Sequence, residues 1–408
     1  MSDNGGDSQL KMHACAVLAC LPFAALADDS ELKLSLELSA ETRSFLQNAA
    51  HASQADDAVG ASLSVLPEVY YAWSRDGSLT FKPFARWGSI DDERTHADIR
   101  ELFVQQRIDA FDLRAGIGRV FWGVTESAHL VDIVNQTDLV ENPDTEDKLG
   151  QPMLSAAWTS PAAGTLTGFV LPYFRERTLP GADARLRAPL PYAIDDAQYE
   201  SNDEERHVDY AVRWNVSAGP LDLGLSHFSG TARAPRFEPS LTPTGPVLLP
   251  VYDLIEQTGL DANLITQGGW IWKLEATYQH NRVEDYAATV AGFEYTFTGV
   301  LGSAWDIGAL SEYLWDGRGD NAPTPFQNDV FVGTRIAAND TAGTEVLAGT
   351  IIDTQHGGAF GNVEASRRVG ESGKLVLELR LFMDAETDDP LYFFRRDDYL
   401  QLEYIRYF

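Results

Sequence analysis

The feature that most constrains this chain is an alternation of apolar and polar residues, two residues per period, that recurs down to the last residue. Leu32, Leu34, Leu36 and Leu38 alternate with Lys33, Ser35 and Glu37. Successive side chains of a strand point to opposite faces, so one face here carries the leucines and the other the polar groups. The same pattern returns in Val59, Ala61, Leu63, Val65, Val69, Tyr71 and Trp73, and in Leu79, Phe81, Ala85 and Trp87 opposite Lys82 and Arg86. Further on come Tyr210, Val212, Trp214 and Val216, then Trp270, Trp272, Leu274, Ala276 and Tyr278, then Leu375, Leu377, Leu379 and Leu381. Such a chain is all-β. Short turn signals (Asp76-Gly77, Gly219-Pro220, Gly268-Gly269) alternate with long polar connections. That rhythm predicts a transmembrane antiparallel up-and-down β-barrel, with turns at one end and loops at the other.

Strand parity sharpens the count. A barrel with both termini at the turn end needs an even number of strands. Taking 228–269 as one loop gives an odd total. Leu260, Ala262 and Leu264 share one face, so 252–266 contains a strand, and the total becomes about 18. Sixteen stays possible, because the strands near Gln105, Ser160 and Gly361 are weakly patterned. Trp73, Trp270 and Trp305 at turn ends, with Trp87, Tyr173 and Trp315 at loop ends, suit two interfacial girdles. A water-soluble sandwich or propeller is the alternative, but neither calls for an apolar outside. The 61 acidic against 31 basic residues, net −30, exclude a nucleic-acid binder.

Residues 14–27 are apolar, follow Lys11 and end Ala25-Leu26-Ala27, so residues 1–27 read as a secretory signal peptide. Residues 28–408 are then a single barrel domain without cysteine, because Cys15 and Cys20 lie in the leader. A lipoprotein acylated at Cys20 would have too short an apolar core.

Three groups of residues could carry function. The first is the segment 122–150. Leu130, Ile133, Val134 and Thr137 stand at helical spacing within 129–139. The segment is expected to fold into the lumen as a constriction, with Glu126, Asp132 and Asp138 facing the pore. The alternative is a helix or a plain loop over the outer mouth. The second is lumen charge: Lys33, Lys82, Arg86, Arg114, Arg213, Lys273, Arg335, Arg368 and Arg380, with Glu37, Asp112, Asp209, Glu275, Glu312, Glu364, Glu378 and Glu403. Either these charges neutralise one another across strands, or they set up a transverse field that sorts solutes. The third is Arg175, Arg177, Arg185 and Arg187 with Arg233 and Arg236. They suit a basic vestibule for carboxylates or phosphates. Pairing with Asp195, Asp196, Glu200, Asp203, Glu204 and Glu205 is the alternative. Acidic runs such as Asp91-Asp92-Glu93 and Asp144-Thr145-Glu146-Asp147 are solvated, or hold divalent ions shared with lipopolysaccharide. Cys-x-x-Cys, His-Glu-x-x-His and Gly-x-x-x-x-Gly-Lys are all missing from the sequence, so no metal, cofactor or catalytic residue is expected.

The last strand, Tyr399-Leu-Gln-Leu-Glu-Tyr-Ile-Arg-Tyr-Phe408, resembles the C-terminal signature of Gram-negative outer-membrane barrels. Phe408, Tyr404, Leu402 and Leu400 fit it; Arg406 departs where an aromatic is usual. Leu113-Arg-Ala-Gly116, Val120-Phe-Trp-Gly-Val-Thr-Glu126 and Val134-Asn-Gln-Thr-Asp138 resemble a porin-like family of proteobacterial outer-membrane proteins. Gly230-Thr-Ala-Arg233-Ala-Pro235 and Trp272-Lys-Leu-Glu275 are similar to its later blocks. More distantly the chain looks like the phosphate-selective and alginate-export barrels. The resemblance implies a channel for diffusion of small hydrophilic solutes, held in outer-membrane lipid and lipopolysaccharide. It implies delivery by the barrel-insertion machinery through the strand ending Phe408, and homo-oligomers are common among such proteins. A closed receptor or export barrel is the alternative. His227-Phe-Ser229 is similar to the His-x-Ser segment of outer-membrane phospholipases, which could supply base and nucleophile. It departs from them in having Ser-Gly where they have Ser-Asn-Gly, and in lacking an adjacent-strand Asn.

Overall fold

The computed structural model describes residues 30–243, 245–387 and 389–408, so the leader at 1–27 lies outside the described residues. The strands in chain order are β1 (Glu31–Phe45), β2 (Val59–Ala72), β3 (Gly77–Gly88), β4 (His96–Ile108), β5 (Phe111–Gly118), β6 (Gln151–Ser160) and β7 (Gly164–Leu171). Then come β8 (Gln198–Tyr199), β9 (Asp209–Ala218), β10 (Leu221–Thr231), β11 (Arg236–Thr242), β12 (Gly245–Tyr252), β13 (Leu254–Ile265) and β14 (Trp270–Asn281). The chain ends with β15 (Asp285–Phe297), β16 (Asp306–Asp316), β17 (Asn328–Ala337), β18 (Glu345–Asp353), β19 (Ala359–Val369), β20 (Gly373–Met383) and β21 (Tyr399–Tyr407). Eighteen of them form one antiparallel sheet in which each strand pairs with the next in the chain, β7 with β9 and β10 with β13. β21 pairs with β1 and closes the barrel; the seam ends where Leu36 N–H donates to Phe408 O (3.2 Å) and Phe408 N–H to Leu36 O (2.9 Å). The remaining three strands make a small separate sheet, β8–β12–β11, in the long connections after β7 and β10.

The strand parity of the sequence is the parity of the barrel. Leu34 (68% exposed), Leu63, Trp87, Trp272 and Tyr278 point outward, while Glu41, Arg43, Ser62 and Arg86 on the alternate positions are buried inside. An outer wall of bare leucine, valine and aromatic rings is stable in hydrocarbon, not in water, and a closed sheet leaves no unpaired strand edge there. The strand at 254–265 is present, which makes the total 18. Turns at one end of the barrel are short: β4 and β5 are joined by Asp109-Ala110, with Asp109 at φ 52°. Where β3 meets β4 the register shifts at Lys82/Pro83, a bulge at which proline's missing N–H costs nothing.

The lumen departs from a purely polar lining. Inward-facing Met153, Phe169, Leu171, Ala211, Phe228 and Ile255 pack with Trp122, Val131 and Val134 in one cluster. Val290, Leu310, Leu314, Phe331 and Ile351 make a second, against Ala128 and Leu130. Apolar wall residues are stable there because residues 120–134 cover them and exclude water.

Candidate functional site: a segment bound across the lumen

Between β5 and β6 the chain makes a 119–150 excursion whose polar contacts reach opposite sides of the ring. Between β3 and β14 lie seven strands one way round and nine the other. On the β14 side, Glu275 is fully buried and faces inward. Its Oε1 accepts the N–H of Val124 (2.7 Å), the N–H of Thr125 (3.1 Å) and the Thr125 hydroxyl (2.7 Å). Its Oε2 accepts the Val131 N–H (3.2 Å). Glu312 on β16 accepts the Glu126 and Ser127 N–H groups (both 2.8 Å) and the Ser127 hydroxyl (2.6 Å). The Glu126 carboxylate in turn meets Arg335 on β17 at 2.7 Å and Lys273 on β14 at 3.9 Å. Gly123 makes the approach possible: at φ 150° a Cβ would stand 2.8 Å from His129 Nδ1 and 3.0 Å from Glu275 Oε1.

On the opposite side the segment supplies the carboxylates and the wall the guanidinium groups. Glu141 meets Arg86 of β3 at 2.8 Å and His96 of β4 at 2.7 Å. Asp138, fully buried, meets Arg100 of β4 at 2.5 Å and accepts the Thr178 hydroxyl at 2.7 Å. Asp144 meets Arg380 of β20 at 2.8 Å. Arg86 also reaches Glu41 of β1 (3.2 Å), which Arg94 holds from the β3–β4 loop (2.7 Å). Between the two sides, Asn135 donates to Gly118 O and Leu149 O (both 2.9 Å), tying the excursion to both of its ends. Arg233 donates to Val134 O (3.1 Å), Gln257 of β13 to Leu130 O (3.2 Å), and Arg213 lies over the Trp122 ring at 5.1 Å.

The helical spacing in 129–139 corresponds to no helix; the segment is irregular. Its backbone donors go to Glu275, Glu312, Asp132 and Asn135 side chains instead of to carbonyls four residues back. Asp132 accepts the Trp122 N–H (3.2 Å) and meets Lys148 (3.3 Å), so it braces the segment internally.

Burial works against the charged form of Glu141, but the His96 hydrogen bond and the Arg86 and Arg94 charges outweigh it and hold the carboxyl down at about 2. His129 is half-buried, and its contacts with Glu146 and Glu275 outweigh the loss of hydration and raise it to about 10, so it is a cation at neutral pH. Asp147, an exposed side chain, is pushed up to about 7 by the surrounding protein and then by Asp144, Glu141 and Asp138.

Of the other residues singled out from the sequence, Lys82 sits between Glu68 (3.3 Å) and Glu101 (3.7 Å), and Arg213 meets Asp261 at 2.8 Å. Arg114 is exposed and lies over the Phe103 ring, 5.3 Å from its centroid. With Arg119, Phe121, Trp122 and Asp222 it lines an open cavity of about 1030 Å³ on the β5–β10 side of the lumen. The six vestibule arginines do not pair with the 195–205 acids. Arg175 meets Asp98 (2.8 Å), Arg185 Asp397 (2.9 Å), Arg233 Asp209 (2.8 Å) and Arg236 Asp253 (3.2 Å). Arg177 reaches Gln136 (3.5 Å), and Arg187 bonds Ser53 (2.8 Å) and two backbone carbonyls. Glu41, Arg43, Arg94, Arg100 and Glu141 were not singled out from the sequence. Carrying the alternation of β1 past Leu38 points Glu41 and Arg43 inward, a signal that was there to find; nothing comparable marks Arg94 or Glu141.

His227 and Ser229 lie on the outer face, where His227 bonds the Thr258 hydroxyl (3.0 Å) and not Ser229. His96, Asp138 and Glu141 offer atoms within 4.8 Å of one another, but Arg86 and Arg100 neutralise these carboxylates and would repel a metal ion.

The chain is a closed 18-strand transmembrane β-barrel with a segment bound across its inside. No protein-family model and no curated protein matches the chain. Solved structures do. A BenF-like porin from Pseudomonas fluorescens Pf-5 matches with TM-score 0.53 at 11% identity, over 94% of this chain and 99% of that one. OprB of Pseudomonas putida matches at 0.45 and 11%, over 92% and 94% of the two chains. The outer-membrane protein OmpT of Vibrio cholerae, in its trimer form, matches at 0.48 and 8%, over 93% and 100%. At such identity the likeness to the BenF-like porin is one of fold.

Proposed function

We propose that this chain is an outer-membrane channel through which small hydrophilic solutes diffuse, with residues 119–150 as its constriction. The observation that carries the reading is the double anchorage of that segment to opposite inner walls, beside an open, charge-lined cavity of about 1030 Å³. A fixed partition narrows a wide barrel without closing it, and what passes is then set by the remaining gap and by the charges that face it. No covalent step is needed, and the lumen charges serve as polar partners for a hydrated solute. The apolar outer wall suits a lipid bilayer, and the alternating exposed Leu402, Tyr404 and Phe408 suit delivery by an outer-membrane insertion machinery. The outer membrane of a Gram-negative cell, with lipopolysaccharide around the loop end, is the setting this reading requires; assembly into homo-oligomers is compatible with it.

The test is conductance of the purified full chain in planar bilayers, followed by liposome swelling with sugars, amino acids, organic acids and phosphate. Discrete conductance steps and size-limited swelling are expected. A barrel that inserts and gives no steps is a closed receptor, and the proposal fails.

A further inference from the structure

Beyond β5 the alternation of side chains continues into the inner segment for four residues. Val120 packs against the apolar cluster of the wall, and Trp122, 5% exposed, belongs to that cluster. Arg119 and Phe121 take the alternate positions, are exposed, and line the open cavity of about 1030 Å³. Residues two apart on one side of an extended chain have Cα atoms about 7 Å apart, so the guanidinium and the phenyl ring are neighbours. Phe121 is 57% exposed and meets His129 edge to face, with ring centroids 4.8 Å apart. A phenyl ring left this open in an aqueous lumen costs free energy that the covered Trp122 avoids.

The charge beside the ring is open as well. Arg119 reaches the Glu101 carboxylate at 3.6 Å, too long for a hydrogen bond, and Glu101 is shared with Lys82 at 3.7 Å. The guanidinium therefore keeps donors for another acceptor. Arg114, five residues back along β5 and about 16 Å away, is exposed over Phe103 in the same cavity. The acids of the cavity are answered or lie at its edge. Asp261 meets Arg213 at 2.8 Å, Asp112 accepts from Gln105 at 2.7 Å, and Asp222 stands one residue inside the turn end of β10. On β6 and β7 the lining is uncharged, with Ser155, Thr159, Thr165 and Thr167. A sugar would leave the guanidinium without a counter-charge, a cation would be repelled, and an inorganic anion would leave the ring wet. An anion with an aromatic body answers both groups.

We propose that Arg119 and Phe121 form a transit site for small aromatic carboxylates, with the carboxylate on Arg119, the ring on Phe121, and Arg114 as the next cation along β5. This rests on the channel reading and names its solute class. A guanidinium meets a carboxylate through two parallel hydrogen bonds, and two aromatic rings attract in offset or edge-to-face contact. Both groups stand on the open side of the segment, so the solute is held at one step and released to the next, as passage requires.

The experiment is block of the KCl current through single channels of the full chain in planar bilayers by sodium phenylacetate, with acetate and glucose as comparisons. Wild type is expected to be blocked by phenylacetate at concentrations about tenfold below those of acetate, the difference being one aromatic contact. Glucose is expected to give no block. Phe121→Ala is expected to bring phenylacetate to the level of acetate. Arg119→Gln is expected to weaken block by both acids, and Arg119→Lys to restore part of it. Both side chains are exposed, so melting within about 2 °C of wild type is expected and shows that the variants fold. Equal block by the two acids in wild type overturns the proposal. So does a Phe121→Ala channel that keeps the difference, which would place the ring contact elsewhere. Steps without block remove this inference and leave the channel reading intact. A protein without steps removes the channel reading, and the site is then read without current, by saturation-transfer NMR of phenylacetate on the detergent-folded full chain. A weaker signal in Phe121→Ala than in wild type supports the site, and equal signals overturn it.

Discussion

Glu275 offers the sharpest test of how the 119–150 segment is held. Its carboxylate, buried inside the barrel, accepts four hydrogen bonds from the segment, three at Oε1 and one at Oε2. Glu275→Ala strips the acceptor from three backbone N–H groups, whereas the Thr125 hydroxyl keeps the Ala128 carbonyl at 2.6 Å. A hydrogen bond to a charged group contributes about 1.5–3 kcal/mol when water cannot replace it, but lumen water will reach part of the gap. A net loss of about 4 kcal/mol in docking is therefore expected, roughly a thousandfold in the ratio of docked to released segment. Glu275→Gln keeps an oxygen for the three Oε1 bonds and turns an N–H toward the Val131 N–H, so about 2 kcal/mol is expected. Adding Glu312→Ala removes three more acceptor contacts and deepens the effect. Release is local to 124–131, because Arg86 and Arg100 still hold the far side. The assay is twofold. Open-channel noise and mean conductance in bilayers should rise in the order wild type, Gln, Ala, double variant. Val131 is fully buried, so a Val131→Cys thiol reports release directly through its rate of reaction with a pore-permeant reagent. Unchanged noise, conductance and thiol reactivity in Glu275→Ala would refute the idea that this carboxylate docks the segment.

Four further outcomes concern the same segment. Arg86→Met leaves Glu41 and Glu141 short of a partner and is expected to destabilise the docked segment by about 3 kcal/mol at pH 7. Glu141 is held down at about 2, so its stabilisation is complete above pH 4.5 and disappears as pH falls toward 2; acid titration of wild-type melting should show that loss, and Arg86→Met should be lower at pH 7 and flatter below 4.5. Asp147, pushed up to about 7, gains its charge between pH 6 and 8, so cation preference in reversal-potential measurements should grow across that window and be flat in Asp147→Asn. Deleting 136–148 removes the Asp138, Glu141 and Asp144 anchors together and is expected to raise single-channel conductance severalfold; an unchanged value would place the constriction elsewhere.

Much of the fold was legible because lipid imposes a rule on every strand. Leu260, Ala262 and Leu264 were enough to find β13, and parity then required 18. The inner segment was legible only as a place. Leu130, Ile133 and Val134 have the spacing of a helical stripe, yet Leu130 packs toward Phe331 and its neighbours while Val134 packs toward Phe228 and its neighbours. A chain threaded between two apolar walls needs apolar residues on both sides, and over ten residues that pattern imitates a helix. Charge pairing was less legible still. Arg185 finds Asp397 across 212 residues, whereas the acids near it in sequence stay elsewhere. Ring closure decides such pairs, and strand order around a barrel brings together residues that no local window connects.

On the proposed channel reading, the same pairing decides which charges a passing solute would feel. A guanidinium already matched to a buried carboxylate presents little field to the lumen, because the partner's opposite charge stands within about 3 Å. Arg86, Arg100 and Arg380 are in that state, committed to Glu141, Asp138 and Asp144. Arg114 is different: it is exposed in the cavity and faces an aromatic ring instead of a carboxylate. The chain's net charge of −30 is therefore a poor guide to the conduit, whose electrical character rests on a few uncommitted groups. Removing one of them and removing one of the committed arginines have different signatures. Arg114→Ala is expected to move the reversal potential toward cations with little change in conductance or melting. Arg86→Met is expected to loosen the segment, raising noise and lowering the melting temperature, with a smaller shift in potential. Equal potential shifts from the two variants would mean that docking contacts and selectivity are not separable in this lumen.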